Sequence, residues 1–198
     1  MPRVVDHESR RRRIAAAVFG LIAEGGLEAA TLREAADRAG VSMGAVQRCF
    51  ATKEQLMLFV HDYLNAQVTA RVQTRIDAAP DPGDTVTMLA ETLAGILPLD
   101  EDSRAESRVW LAFAAQAAVD PALGELQRRS YRELAALFAL LVRAAAESGR
   151  FRAGLDPDVV AADLVTMTDG LSVQLLVGLH TPDSARVVLD ARLDALRA

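Results

Sequence analysis

TLREAADRAGVSMGAVQRCFATKEQL, residues 31–56, holds two short helical patterns hinged on a glycine, followed at once by a third, capped helix. Thr31 and Thr52 are N-cap residues, each with a partner three positions on, Glu34 and Gln55, of the type that closes a capping box. Ala36 and Ala39 are small enough to let two helices cross closely. Gly40 can take the positive φ that ends one helix and opens a sharp turn. Ser42 then caps a short helix that carries Val46 inward and presents Met43, Ala45, Gln47 and Arg48 in more exposed directions. This is the pattern of a helix-turn-helix, whose second helix enters the major groove of DNA.

Composition sets the surroundings of that element. Of 198 residues, 51% are hydrophobic but only 5% aromatic, so the core must be built from Ala, Leu and Val. Such residues suit close-packed helices, and alternating strand patterns are absent from the sequence. The expected fold is all-α. A single cysteine, Cys49, excludes an internal disulfide and fits a reducing compartment. No apolar run reaches the ~18 residues of a membrane span, and the basic N-terminus lacks the apolar segment of a signal peptide. A cytoplasmic protein without membrane contact is expected.

The net charge of −5 is unevenly divided. Residues 1–56 hold nine basic and seven acidic side chains, and the remainder 13 and 20. Positive charge is thus concentrated where phosphates would be neutralised. Lys53, the only lysine, sits where a capped helix begins, so backbone N–H groups, helix dipole and ammonium meet at a point suited to a phosphate. The plainer alternative is a solvated lysine beside a cap.

Apolar periodicity and caps predict about nine helices. They run from about His7 to Glu24, Leu32 to Ala39, Ser42 to Cys49, Thr52 to Ala79, Asp84 to Leu97 and Ser103 to Val119, with three more opened by Asp120-Pro121, Asp156-Pro157 and Thr181-Pro182. Proline at the first helical position explains those last three starts. The expected division is a DNA-binding domain over residues 1–52 and a ligand-binding and dimerisation domain over residues 53–198.

Residues 10–65 resemble the N-terminal domain of the TetR family of transcriptional repressors. The matching features are Arg10–Arg13, Thr31, Ala36, Ala39-Gly40-Val41-Ser42, Gly44, Phe50 and Lys53-Glu54-Gln55-Leu56. Spacing, caps and order agree across roughly fifty residues. Glu106-Ser-Arg-Val-Trp110-Leu and Asp169-Gly170-Leu171 are loosely similar to the subgroup of the choline-responsive betaine regulator. One departure is that the family usually has tyrosine where this chain has Gln47, and an aromatic or histidine where it has Cys49. Glutamine can hold a phosphate or reach an adenine edge, so base preference stays open there. Cys49 is read as a small packing residue rather than a redox sensor.

On the DNA side, Arg10, Arg11, Arg12 and Arg13 form a basic first turn able to reach backbone or minor groove, or a partly solvated charge run. Thr31, Lys53 and Gln47 are the phosphate candidates. Ser42, Met43, Ala45 and Arg48 are the base-edge candidates, with Arg48 to guanine the sharpest. A recognition helix of two turns reads few base pairs, so a homodimer on a palindromic operator is expected. Leu164, Met167, Leu171 and Leu175, with Leu189 and Leu193, recur at helical spacing. They would form a four-helix dimer bundle, as the family does, or cover the domain's own core, or do both.

Met and aromatic residues at helical spacing supply an effector-pocket reading beside a plain core reading. Phe59, Met88, Trp110, Phe113, Phe138 and Met167 are the apolar candidates, and Gln116, Tyr131, Asp169 and Gln174 the polar ones. The ligand expected is small and hydrophobic, neutral or cationic. No enzyme signature is present: His7, His61 and His180 are scattered, without metal-ligand spacing, a phosphate loop or a nucleophile elbow. Neither metal nor cofactor is expected. The reading is a ligand-responsive repressor; the alternative is a helical adaptor using its helix-turn-helix for protein contacts.

Overall fold

The computed structural model describes the backbone of residues 2–198 and the side chains of residues 7–198. Among these residues lie nine α-helices: α1 (Pro2–Gly25), α2 (Leu32–Ala39), α3 (Met43–Cys49), α4 (Lys53–Ala78), α5 (Thr85–Ile96), α6 (Glu101–Ala117), α7 (Pro121–Glu147), α8 (Pro157–Leu176) and α9 (Pro182–Asp194). A 3₁₀ turn, Leu27–Ala29, links α1 to α2, and the β pairing among the described residues is an isolated bridge between Phe151 and Arg197. The all-α expectation holds.

The helix starts follow the caps, with two differences in detail. The Thr31 side chain accepts the Glu34 N–H at 3.1 Å, but the Thr31 N–H is already taken by the Ala29 carbonyl of the 3₁₀ turn. The Glu34 carboxylate instead accepts the Thr31 hydroxyl at 3.4 Å. At α4 the Thr52 hydroxyl accepts the Gln55 N–H at 3.1 Å, while Gln55 Oε1 reaches one residue further back to the Ala51 N–H at 3.0 Å. The full reciprocal box forms at α9, between Thr181 and Ser184. Gly40 sits at φ 61°, and Ser42 accepts the Ala45 N–H at 3.2 Å, closing the turn between α2 and α3.

The chain packs as two compact units, Met1–Gln67 with Arg108–Leu126, and Val68–Ser107 with Gln127–Ala198. The boundary expected between residues 52 and 53 falls inside the first unit. The first half of α4 contributes Leu56, Val60 and Leu64 to its buried residues, beside Ile14, Val18, Ile22 and Val46. Fully buried His61 of α4 lies 5.4 Å edge-on to Phe113 and 6.0 Å from Trp110, which carries α6 residues into the same unit.

The second unit is built on Leu89, Leu93, Phe138, Val142, Leu164, Leu175, Leu189 and Leu193. By length and composition alone α8 is apolar enough to cross a membrane, contrary to the expectation from uninterrupted runs. Its apolarity has another use here, because Val160, Ala161, Leu164, Leu171 and Leu175 are buried in this core. Where α4 crosses α5, Arg71 donates to the Gly95 carbonyl at 3.0 and 2.6 Å and pairs with Glu106. Burial nonetheless pushes the Glu106 carboxyl above its ordinary range. A Cβ on Gly95 would stand 2.6 Å from Val72 Cγ2, and a β-branched side chain held in a helix has little freedom to retreat. Gly95→Ala is therefore expected to cost about 1–3 kcal/mol. At this length that lowers the melting midpoint by roughly 2–10 °C, measurable by calorimetry; an unchanged midpoint would show that the crossing relaxes freely.

Candidate functional site

Helix α3 is short, capped by Ser42 and turned so that Val46 is fully buried. Ser42, Gln47 and Arg48 are exposed and Met43 is 39% exposed, so they share a solvent-facing surface. Ala45 does not join them. At 8% exposure its methyl faces the interior, because the fourth position of this turn lies on the Val46 side of the helix. Arg48 folds back along the reading face: a Cβ on Gly44 would lie 3.6 Å from its Nη1. Lys53 is exposed at the first position of α4, and Thr31 is exposed at the cap of α2. Arg33, absent from the sequence-based candidates, is also exposed, in the first turn of α2. Its signal was a basic residue two positions after the Thr31 cap.

The four arginines of α1 have different surroundings. The Arg11 guanidinium lies over two rings, 5.1 Å from the Phe50 centroid and 4.3 Å from that of Phe59, and its Nε has no hydrogen-bond partner. In that position the guanidinium packs against both rings. The same contact involves half-buried Phe59, whose ring meets Phe50 at 5.4 Å within the first unit. Arg12 is exposed and pairs with Glu8 at 3.4 Å; Arg13 is exposed and Arg10 half-buried. Replacing Arg11 with leucine is expected to cost about 1–2 kcal/mol of stability from the desolvated cation–π contact, leaving the salt dependence of DNA binding unchanged. A shallower salt dependence in Arg11→Leu would return it to the phosphate contacts. Arg38 is likewise committed: its Nη1 donates to Glu24 Oε2 at 2.6 Å, and this hydrogen bond holds the Glu24 carboxyl below the usual carboxylate range.

The effector candidates fall in both units. Trp110, Phe113 and Gln116 belong to the first, where Phe113 is 1% exposed against His61. His61 itself was read from sequence only as a scattered histidine. Its place one turn from buried Met57 and Leu64 is the cue to an inward side chain. Met88, Tyr131, Phe138, Met167, Asp169 and Gln174 belong to the second unit. Phe138 is fully buried in the core, and Met88 and Met167 pack on it half-buried. The Tyr131 hydroxyl donates to Asp169 Oδ2 at 2.5 Å, joining α7 to α8.

The leucines picked out for dimerisation are in the protomer's own core. Leu164, Leu171, Leu175, Leu189 and Leu193 are 0–5% exposed, with Met167 packed against them. Leucine is the bulkier apolar residue in these helices, and the tightly packed interior claims it. What α8 and α9 leave exposed is smaller, Val159 (65%), Val173 (42%), Val187 (68%) and Val188 (37%), with Val177 (73%) and Leu179 (71%) exposed just past the end of α8.

Comparison with known proteins matches this arrangement. A model of bacterial regulatory proteins of the tetR family fits residues 14–60, and one of the BetI-type transcriptional repressor C-terminal part fits residues 86–198. The HTH-type transcriptional regulator PksA of Bacillus subtilis is 29% identical over 177 residues, covering 89% of this chain and 83% of that protein. A transcriptional regulator from Rhodococcus sp. Rha1 superposes with a TM-score of 0.80 at 31% identity, over 94% of this chain and 95% of that one. A regulator from Saccharomonospora viridis, solved in complex with choline, has the same fold, with a TM-score of 0.84 at 24% identity over 94% and 96% of the two chains. These relatives are regulators of transcription and not enzymes. Helix-turn-helix, helical C-terminal region and family matches agree along almost the whole sequence: the chain belongs to the TetR family of bacterial DNA-binding transcriptional regulators, with a C-terminal part of the BetI type.

Proposed function

We propose that this regulator is a homodimeric, cytoplasmic repressor that binds an inverted-repeat operator and releases it when a small apolar effector binds its C-terminal region. The exposed face of α3 carries the reading: Ser42, Met43, Gln47 and Arg48 stand together where a major groove would meet them. Lys53 and Thr31 lie at the starts of α4 and α2, where phosphates are held by N–H groups and dipole, and Arg33 and Arg13 add exposed charge.

Two reading heads require a second copy, and the support for one is the exposed stripe of α8. Val159, Thr166, Gly170, Val173 and Val177 recur every three, four or seven positions, all exposed, with Val187 and Val188 of α9 exposed too. Small and β-branched residues at such a face allow two helix pairs to approach closely. The Tyr131–Asp169 pair is the support for an effector, being a side-chain hydrogen bond between α7 and α8 in the unit that holds the apolar core. An effector that prefers one arrangement of the reading heads shifts operator affinity by its differential binding to the two. The adaptor alternative has no observation in its favour.

Selection of bound duplexes from a random pool tests the proposal. Enrichment of an inverted repeat with half-sites centred about one helical turn apart is expected, with log affinity falling linearly in log salt. Folded, dimeric protein that enriches no motif, with or without cell extract, would sink it.

A further inference from the structure

We propose that Gln127 contacts the effector, and that the effector bears a neutral oxygen acceptor, a carbonyl, ether or hydroxyl, on an apolar body. This rests on the effector reading above and adds to it the chemistry that the ligand must carry. Gln127 lies on α7, is 5% exposed, and its Nε2 has no hydrogen-bond partner. Buried polar groups in folded proteins are nearly always paired, so an orphaned amide donor calls for an explanation. One turn before it on α7 stands buried Leu123, and two turns after it half-buried Leu134, both apolar. Leucine or methionine would fill that position without desolvating a donor. The amide is a cost to folding that the protomer alone does not recover; a ligand oxygen would recover it.

Position gives the rest. Tyr131 stands four residues on, so the two side chains are neighbours on one face of α7, with Cβ atoms about 5–6 Å apart. The Tyr131 hydroxyl donates to Asp169 Oδ2, so the side chain next to Gln127 on this face is tied to a carboxylate. An anionic acceptor beside it would be repelled at low dielectric, whereas a neutral oxygen takes the amide N–H without that penalty.

The test is release of a fluorescent operator from the full chain by matched pairs of compounds differing only in the acceptor. The pairs are cyclohexanone with methylenecyclohexane, and acetophenone with α-methylstyrene. A ketone is expected to release operator about tenfold more effectively than its methylene twin. In Gln127→Leu, which should bind operator normally and melt no lower than the parent, the difference should vanish. Gln127→Met carries the same test if leucine disturbs packing. Equal release by ketone and twin, a difference that survives in the variants, or release by neither ketone would overturn the assignment. Equal release would do so while leaving the effector reading intact. A parent chain that binds no operator would bring down the reading itself.

Discussion

Arginine in place of Val187 is expected to leave a folded monomer, whereas arginine in place of Leu171 should leave no folded protomer at all. Both are apolar residues of the C-terminal helices, and the sequence-based dimer stripe includes Leu171 but not Val187. They differ in what covers them. Leu171 is 5% exposed inside the second unit's core, so a guanidinium there is an unpaired buried charge. Several kcal/mol of desolvation set against a total stability of about 5–15 kcal/mol are enough to unfold the chain. Val187 is 68% exposed, so arginine reaches water in the monomer and meets its own image across a two-fold axis in the dimer. Losing the second reading head forfeits the effective concentration that links two half-sites, about 10²–10⁴ in operator affinity. Light scattering coupled to gel filtration, with circular dichroism for folding, separates the outcomes. A Val187→Arg dimer of parental operator affinity would move the pairing surface elsewhere, and a folded Leu171→Arg would contradict the core.

The same pair of residues explains how far the sequence could be read. Local physics made the helices legible: the proline starts of α7, α8 and α9, the positive φ of Gly40 and the caps of Thr31, Ser42 and Thr52 all involve groups within four residues of one another. A periodic stripe, by contrast, says that a face is covered and not by what, so Leu171 was a dimer candidate and Val187 was not singled out. The Arg11 clamp escaped for a related reason. It needs Phe50 and Phe59, nearly forty positions and more away in the chain, and only tertiary structure brings them over one guanidinium. Effector candidates were least legible, since Met and aromatic side chains recur at the same spacing in a core as in a pocket. Phe59 packs against Phe50 and Phe138 lies in the core, while the polar Tyr131 and Asp169 came together across 38 residues. Alanine is ambiguous in another way: Ala45 fits a groove as well as an interior, and only the rotation of α3 decides.

Arg48→Ala should cost the most on the DNA side and should change which sequences are bound, whereas Lys53→Ala should weaken all duplexes alike. The distinction comes from where each side chain stands. Arg48 is exposed in the last turn of the reading helix, with its guanidinium alongside Gly44, where the missing side chain leaves room for a base edge to approach. A bidentate contact to guanine is worth about 1–3 kcal/mol, and in a two-fold complex it is made twice. The variant should therefore lose roughly 30- to 10⁴-fold on its best operator and lose less on duplexes altered at that one position of each half-site. Lys53 is a point charge at the start of α4, with no base within its reading. Its removal should lower the salt slope by about one unit per half-site while the ranking of operators stays the same. Titrating both variants against the parent operator and single-position changes, at several salt concentrations, measures preference and slope together. If Arg48→Ala weakened all duplexes equally, Arg48 would be a phosphate contact. The reading of sequence would then pass to Gln47 and Met43, its exposed neighbours on α3.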